Sequence, residues 1–310
     1  MPTSTSLARI KLARRPAPRI AREGALAIAP VAREVAREAS PFLKWVGGKG
    51  KLLTQLLPLL PPGADRMRHV EPFAGGGAMF FARGPERALL CDANASLVDT
   101  YLAVRDEVDA VIGELEALSL AHAAGSAYYR VRERYNTARR EVSRAERAAM
   151  FVYLNKTCFN GLHRVNRKGE FNVPEGRYKN PRILDEHALR AASATLAKAD
   201  IKHTSFEGLL SLAKPGDFVY LDPPYEPVST TASFVAYGEN GFTQADQTRL
   251  RDVVNELDRR GCKIMLSNSD VPFIRGLYAK YRIDTIAAPR AINCDADKRG
   301  LVSEVVVRNY

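Results

Sequence analysis

His69-Val70-Glu71-Pro72-Phe73-Ala74-Gly75-Gly76-Gly77 is the stretch from which the fold of this chain can be read. A short apolar run ends at an acid and a proline. Three glycines follow, and Ala78-Met79-Phe80-Phe81 then reads as the start of a helix. Arg87 to Asp92 is a second apolar run, closed by an acid 17 residues beyond Gly75. Strand, glycine loop, helix and strand ending in Asp is the opening of a doubly wound, mostly parallel α/β sheet. Glycines after a strand let a ligand approach the backbone, and the helix start behind them favours polar or anionic groups. The spacing is not G-x-G-x-x-G, which disfavours a nicotinamide dinucleotide. Asp92 lies near the offset at which an acid meets a ribose hydroxyl in such folds. With Asn94 it is also placed to cap a helix over Ser96 to Val104.

Working outward, Ile201 to Thr204, Phe218 to Asp222, Cys262 to Ser267, Arg282 to Ala287 and Glu304 to Arg308 read as further strands. Between them Leu250, Val253, Val254 and Leu257 recur at helical spacing within Gln244 to Arg259. Residues 105–199 break this alternation. Tyr128 to Ala138 and Arg144 to Thr157 look helical, and Arg164 to Val173 carries Val165, Phe171 and Val173 about an Asn/Gly turn, a hairpin signature. The expected organisation is a catalytic domain of residues 40–104 and 200–310 with an inserted, basic, mainly helical lobe at 105–199. Residues 1–39 are rich in Ala, Arg and Pro and have no aromatic residue, so they read as a flexible basic tail. A phosphate-touching arm and an organelle transit peptide are the other readings, the latter opposed by Glu23, Glu34 and Glu38.

With 46% apolar and 26% charged residues among 310, the chain can bury a large core. It has neither an apolar run of about 20 residues for a membrane helix nor a secretory leader near Met1. A cytoplasmic protein is expected. The formal net charge of +11 favours a polyanionic partner. Cys91, Cys158, Cys262 and Cys294 are far apart, with the spacing of neither a zinc site nor a disulfide framework; no metal is expected.

Phe218-Val219-Tyr220-Leu221-Asp222-Pro223-Pro224-Tyr225 is the segment richest in chemistry. It could be no more than a stiff turn, but it ends a strand where open sheets bind ligands. An exocyclic amine on a base is a poor nucleophile because its lone pair is delocalised into the ring. If the Asp222 carboxylate and the Pro223 carbonyl each accept one of its N–H bonds, the nitrogen moves towards tetrahedral geometry and the lone pair is freed. Tyr225 would stack on the base, which must leave the duplex to arrive there. A third segment, Phe42-Leu43-Lys44-Trp45-Val46-Gly47-Gly48-Lys49, holds the only tryptophan, suited either to the core or to a ligand-facing turn.

These three segments, in this order, resemble the Dam-type (D12 class) N6-adenine DNA methyltransferases from Pro41 to Tyr310. Lys44 to Lys49 is similar to the opening motif, Phe73 to Gly77 to the F-x-G-x-G cofactor loop, and Asp222 to Tyr225 to the catalytic tetrapeptide. The insert is more specific: Phe159 to Asn166, then Gly169 to Pro174 and Gly176 to Tyr178, resembles the target lobe of GATC-modifying members. The resemblance implies a Rossmann-like class I methyltransferase with catalytic Asp222, Pro223, Pro224 and Tyr225. It implies that Trp45, Lys49, Phe73, Gly75, Gly77, Asp92, Ser205, Phe206 and Asp222 bind S-adenosylmethionine. It further implies that Lys44, Asn160, Leu162, Arg164, Pro174 and Arg177 meet double-stranded DNA, and that Ser229 to Phe242 folds over the flipped base. The enzyme would work alone or beside a cognate restriction endonuclease. His163, between Leu162 and Arg164, departs from the pattern and bears on base contacts. The readings left beside this one are a cytosine-N4 or RNA-adenine methyltransferase and a DNA-binding protein with a decayed methyltransferase core.

Overall fold

A computed structural model describes residues 39–125, 127–138, 141–228, 241–289 and 301–310. The seven strands are β1 (His69–Glu71), β2 (Ala88–Asp92), β3 (Ala199–His203), β4 (Phe218–Leu221), β5 (Lys263–Ser269), β6 (Arg282–Pro289) and β7 (Leu301–Arg308). They form one sheet in the order β3-β2-β1-β4-β5-β7-β6. The first five are parallel, as in the registers Val70↔Leu89, Val70↔Val219 and Leu221↔Leu266. β7 runs antiparallel between β5 and β6. A parallel strand covered on both faces needs an unbroken apolar run, and Phe218-Val219-Tyr220-Leu221 is buried throughout. This is the Rossmann-like methyltransferase architecture expected from the sequence.

The chain winds β1, β2, β3 in one direction and then returns to lay β4 and β5 on the other side of β1. The order therefore reverses between β1 and β4, where the loops leaving two neighbouring strands part and open a crevice. Phe73 to Gly77 leaves one of these strands, and Asp222 to Tyr225 leaves the other.

A short helical run over residues 49–59 precedes β1, and helices α1 (Ala78–Arg83), α2 (Ala95–Asp106), α3 (Val108–Ala123), α4 (Tyr128–Thr137), α5 (Arg144–Thr157), α6 (Glu186–Leu196), α7 (Gln244–Arg259) and α8 (Pro272–Leu277) follow it. Their ends follow capping chemistry. Asn94 accepts from the Leu97 N–H to start α2, Ser143 from the Glu146 N–H to start α5, and Thr243 with Asp246 forms a capping box for α7. The two faces of the sheet divide by strand alternation. Leu90 joins one core with Tyr101, Val104, Phe151 and Leu196, while Leu89 joins the other with Val219, Leu250, Val254 and Leu266. The residues of α3 to α5 share the first of these cores with α2 and the sheet. Helix α5 is buried almost all round, from Ala148 to Asn155, as a central helix should be.

The expected hairpin is present in a reduced form. Its arms meet at a single bridge, Val165↔Phe171, rather than in regular strands. Backbone bonds flank that bridge, from the Asn166 N–H to the Glu170 carbonyl and from the Asn172 N–H to the Arg164 carbonyl, and side chains brace the rest. Asn136 accepts from the Phe171 N–H and donates to its carbonyl, while Asn166 Oδ1 accepts from the Lys168 and Glu170 N–H groups. Gly169, at φ 73°, closes the turn. Among the described residues no helix is long and apolar enough to cross a membrane.

Candidate active site

The glycine loop is held from three sides. Gly75 and Gly77 adopt left-handed φ angles of 48° and 69°, which glycine tolerates without strain. The Gly75 N–H donates to Asp92 Oδ2 at 3.0 Å, and the Asn94 N–H donates to Asp92 Oδ1 at 2.9 Å. Tyr101, fully buried, donates its hydroxyl to the Gly75 carbonyl at 2.6 Å. Trp45 covers the outer side: a Cβ on Gly75 would lie 2.9 Å from its ring, and one on Gly76 3.1 Å from its Cβ. The indole is thus a wall of the loop, half-buried rather than a core residue. Beside it the Phe73, Phe206 and Phe242 rings cluster with centroids 5.7–6.0 Å apart. Ser205, next to Phe206, is exposed. Asp92 carries one backbone N–H on each oxygen, and a carboxylate has lone pairs left for ribose hydroxyls. Burial pushes its pKa up, against the pull of those hydrogen bonds. Open backbone, an acid and flat apolar rings form a donor set that fits a nucleoside cofactor.

The tetrapeptide lies at the end of β4. Asp222 Oδ1 is 2.9 Å from the ammonium of Lys49, which is buried and also donates to the Gly47 carbonyl. The same ammonium stands 4.5 Å from the centre of the Tyr225 ring, and Tyr225 donates its hydroxyl to Glu304 on β7 at 2.8 Å. Burial lifts the Asp222 pKa above the ordinary carboxylate range, and Lys49 opposes the lift. The Pro224 carbonyl accepts from Gln247 Nε2 at 2.9 Å. Among the described residues, by contrast, the Pro223 carbonyl accepts no hydrogen bond. The next residue, Glu226, is clamped: its N–H donates to Asn268 Oδ1 and its carbonyl accepts from Ser269 Oγ. Asn268 in turn donates to Gln247 Oε1 at 3.1 Å. This frame presents one carboxylate and one carbonyl from adjacent residues, the carbonyl without a partner among the described residues.

Motif reading alone did not single out Gln247, Asn268, Ser269 and Glu304, which build that frame. One signal was available, since β5 ends in the polar run Ser267-Asn268-Ser269, all of it buried.

The lobe residues divide by exposure. Asn160 (φ 54°), Arg164, Pro174 and Arg177 are exposed, as is the ring of Phe159. Arg164 Nε donates to Asn172 Oδ1 at 2.8 Å, which steadies the guanidinium on the hairpin. Leu162 is half-buried and packs on the core beneath. Lys44 is half-buried, with its ammonium donating to the Lys156 carbonyl at 3.0 Å and standing 3.8 Å over the Tyr178 ring. His163 turns inward, away from the exposed row. Residues 1–38, Cys294 and the Ser229 to Asn240 part of the expected lid lie outside the described residues.

The sequence pattern of the D12 class N6 adenine-specific DNA methyltransferases matches residues 45–292. The chain belongs to that class. This methyltransferase is 41% identical to the type II methyltransferase M.MjaIII of Methanocaldococcus jannaschii, across 88% of this chain and all of that one. It is 40% identical to the type II methyltransferase M1.LlaDCHI of Lactococcus lactis subsp. cremoris, across 87% and 95%. The DNA adenine methylase of Escherichia coli K12 is 34% identical, across 86% and 93%. The enzyme is an adenine-specific DNA methyltransferase acting on DNA with a methyl donor, which sets aside the cytosine-N4, RNA and decayed-core readings.

Proposed function

We propose that this methyltransferase modifies N6 of an adenine flipped out of duplex DNA, with S-adenosylmethionine as donor and GATC as its site. The observation that carries the reading is the pair of acceptors at the switch point. The Asp222 carboxylate and the Pro223 carbonyl, which accepts no hydrogen bond among the described residues, follow one another at the end of β4, next to the Asp92-held glycine loop. Two acceptors match the two N–H bonds of an exocyclic amine, and the fixed φ of proline keeps the second in place without reorganisation. Tyr225, braced by Lys49 and Glu304, offers a ring face for the base. Gly75, Gly77, Asp92, Phe73, Trp45, Ser205 and Phe206 would hold S-adenosylmethionine, which when bound supplies an electrophilic methyl on a sulfonium. Asp222, paired with Lys49, would hold the amine from the side so that its nitrogen faces that methyl directly.

Exposed Arg164 is the reader of an outer guanine, since a guanidinium can contact O6 and N7 together. Leu162 and Pro174 flank it as apolar contacts for a thymine methyl. Lys44 approaches from the cofactor side. Arg167, Lys168, Arg177 and Lys179 are exposed on the same segment and set register on phosphates; half-buried Lys156 is the least available for that work. Residues 105–199 act as the target lobe, and the protein works where the chromosome is, in the cytoplasm on the nucleoid. Single-base mapping of methylated adenines in DNA from cells expressing the protein tests the reading. It should return GATC, whereas methylation spread over scrambled contexts, or confined to a longer site such as GATATC, would contradict that specificity. Arg164→Ala should lose about 1–3 kcal/mol of discrimination and admit sites altered at one outer pair. Lys179→Ala should weaken every site alike.

A further inference from the structure

His163 separates the exposed hairpin from the glycine loop and touches both sides. Its ring stacks on Trp45, with centroids 5.9 Å apart and planes 21° apart. Behind it lie Phe151 of α5 at 5.5 Å and Phe171 of the hairpin at 5.9 Å. Asn94 Oδ1 is committed to the Leu97 N–H, so its Nδ2 is the group that meets His163 Nδ1, at 3.3 Å. Nδ1 therefore accepts, and the ring proton sits on Nε2. Burial favours that neutral form. Asn94 is bound through its own N–H to Asp92, and Asp92 holds Gly75. An unbroken line of contacts thus joins Arg164, through its neighbour His163, to both walls of the glycine loop.

We propose that His163 is a positioning residue that couples the target lobe to the cofactor loop, fixing the Trp45 indole over Gly75 and Gly76 according to how the lobe is seated on DNA. This coupling presupposes that the loop takes S-adenosylmethionine and the lobe takes duplex DNA. It has a defined route. A shift of the Arg164 segment on the duplex moves the His163 ring, and that ring cannot move without carrying or releasing the indole stacked on it. A second tie keeps the lobe attached when His163 is changed. Buried Asn155 accepts from the Lys44 N–H at 2.8 Å and donates to the Lys44 carbonyl at 2.7 Å. Coupling and attachment are therefore separable. By reciprocity, duplex must change cofactor affinity by the same factor that cofactor changes duplex affinity.

The test uses the full chain and S-adenosylhomocysteine, whose affinity is read from the emission of the sole tryptophan, Trp45, and checked by calorimetry. Affinities are measured with and without a saturating GATC duplex. Wild-type protein should bind the cofactor product at least about fivefold more tightly with duplex, the lower end of ordinary coupling between sites. His163→Ala should bring that ratio close to one. His163→Phe, which retains the stack on Trp45 and fills the space, should restore most of it. A merely structural role would shift both affinities and leave their ratio alone. Wild-type coupling in His163→Ala, or a Phe variant no better than Ala, would overturn the proposal while leaving the proposed activity intact. Wild-type protein that binds no S-adenosylhomocysteine would overturn the cofactor reading and this inference together.

Discussion

The Asp222 carboxylate has lost most of its water, which raises its pKa, and the Lys49 ammonium 2.9 Å away favours the charged form and opposes the rise. Only the ionised acid can accept both an amine N–H and the neighbouring positive charge, so transfer declines as pH falls through the folded pKa of Asp222. Lys49→Met removes the opposing charge at similar volume. The folded pKa then rises further, and the acid limb of the kcat–pH profile should move to higher pH. An acid limb that does not move would mean that another group sets it. Tyr225 has the opposite relation to charge: burial first, then Asp222 and Glu304, push its hydroxyl up. It remains a neutral phenol, able to donate to Glu304 and present its ring.

Beneath the site, β1 carries a buried polar group that loops alone would not reveal. His69 Nε2 lies 2.6 Å from Glu71 Oε1, and Arg83 of α1 meets His69 Nδ1. A guanidinium only donates, so Nδ1 accepts and the Nε2–H donates a hydrogen bond to Glu71. Burial pushes Glu71 up to about 8 and holds His69 well below its ordinary value. The raised acid contributes stability that is complete below about 4.5 and is lost as pH rises to about 8. His69, depressed, does the reverse below its ordinary 6.5. Between about 6.5 and 8 Glu71 alone acts, so the wild-type protein should lose stability there relative to Glu71→Gln, which cannot titrate. Urea unfolding at the two pH values checks this, and parallel curves for both proteins would contradict it. The same scale shows what could be read from sequence. Helices α5 and α7 have the expected limits because Ser143 and Thr243 cap them and their apolar residues fit a buried face. β5 runs two residues past its expected end at Ser267. Asn268 and Ser269 are polar yet buried because Gln247 and Glu226, far along the chain, satisfy them. The Phe171 arm of the hairpin is satisfied in the same way, since its N–H and carbonyl, which face away from Val165, pair with Asn136 on α4. Pairings of that kind leave no local period to detect.

Across the whole molecule, three segments far apart in sequence converge because the sheet reverses its winding between β1 and β4. Lys49 comes from before the first strand, Asp92 from the end of β2 and Asp222 from the end of β4. That convergence was legible from motif order, whereas the Trp45–His163 stack joining lobe to loop was not, because an inward histidine has no sequence mark. Residues 1–38 precede the matched region and hold none of the site residues. Their removal should leave turnover at low salt unchanged and flatten the salt dependence of duplex binding, by about one unit of log–log slope for each phosphate no longer neutralised. A folded but inactive truncated enzyme would contradict this. The most direct test of the account is Asp222→Ala, with methyl transfer to adenine and duplex affinity measured on the same preparation. Removing an aligned acceptor should lower kcat by about 10²–10³-fold or more, with duplex affinity little changed because an anionic side chain contributes little attraction for phosphate. Turnover close to wild type would contradict the assignment of Asp222 and Pro223 as the pair that prepares the amine.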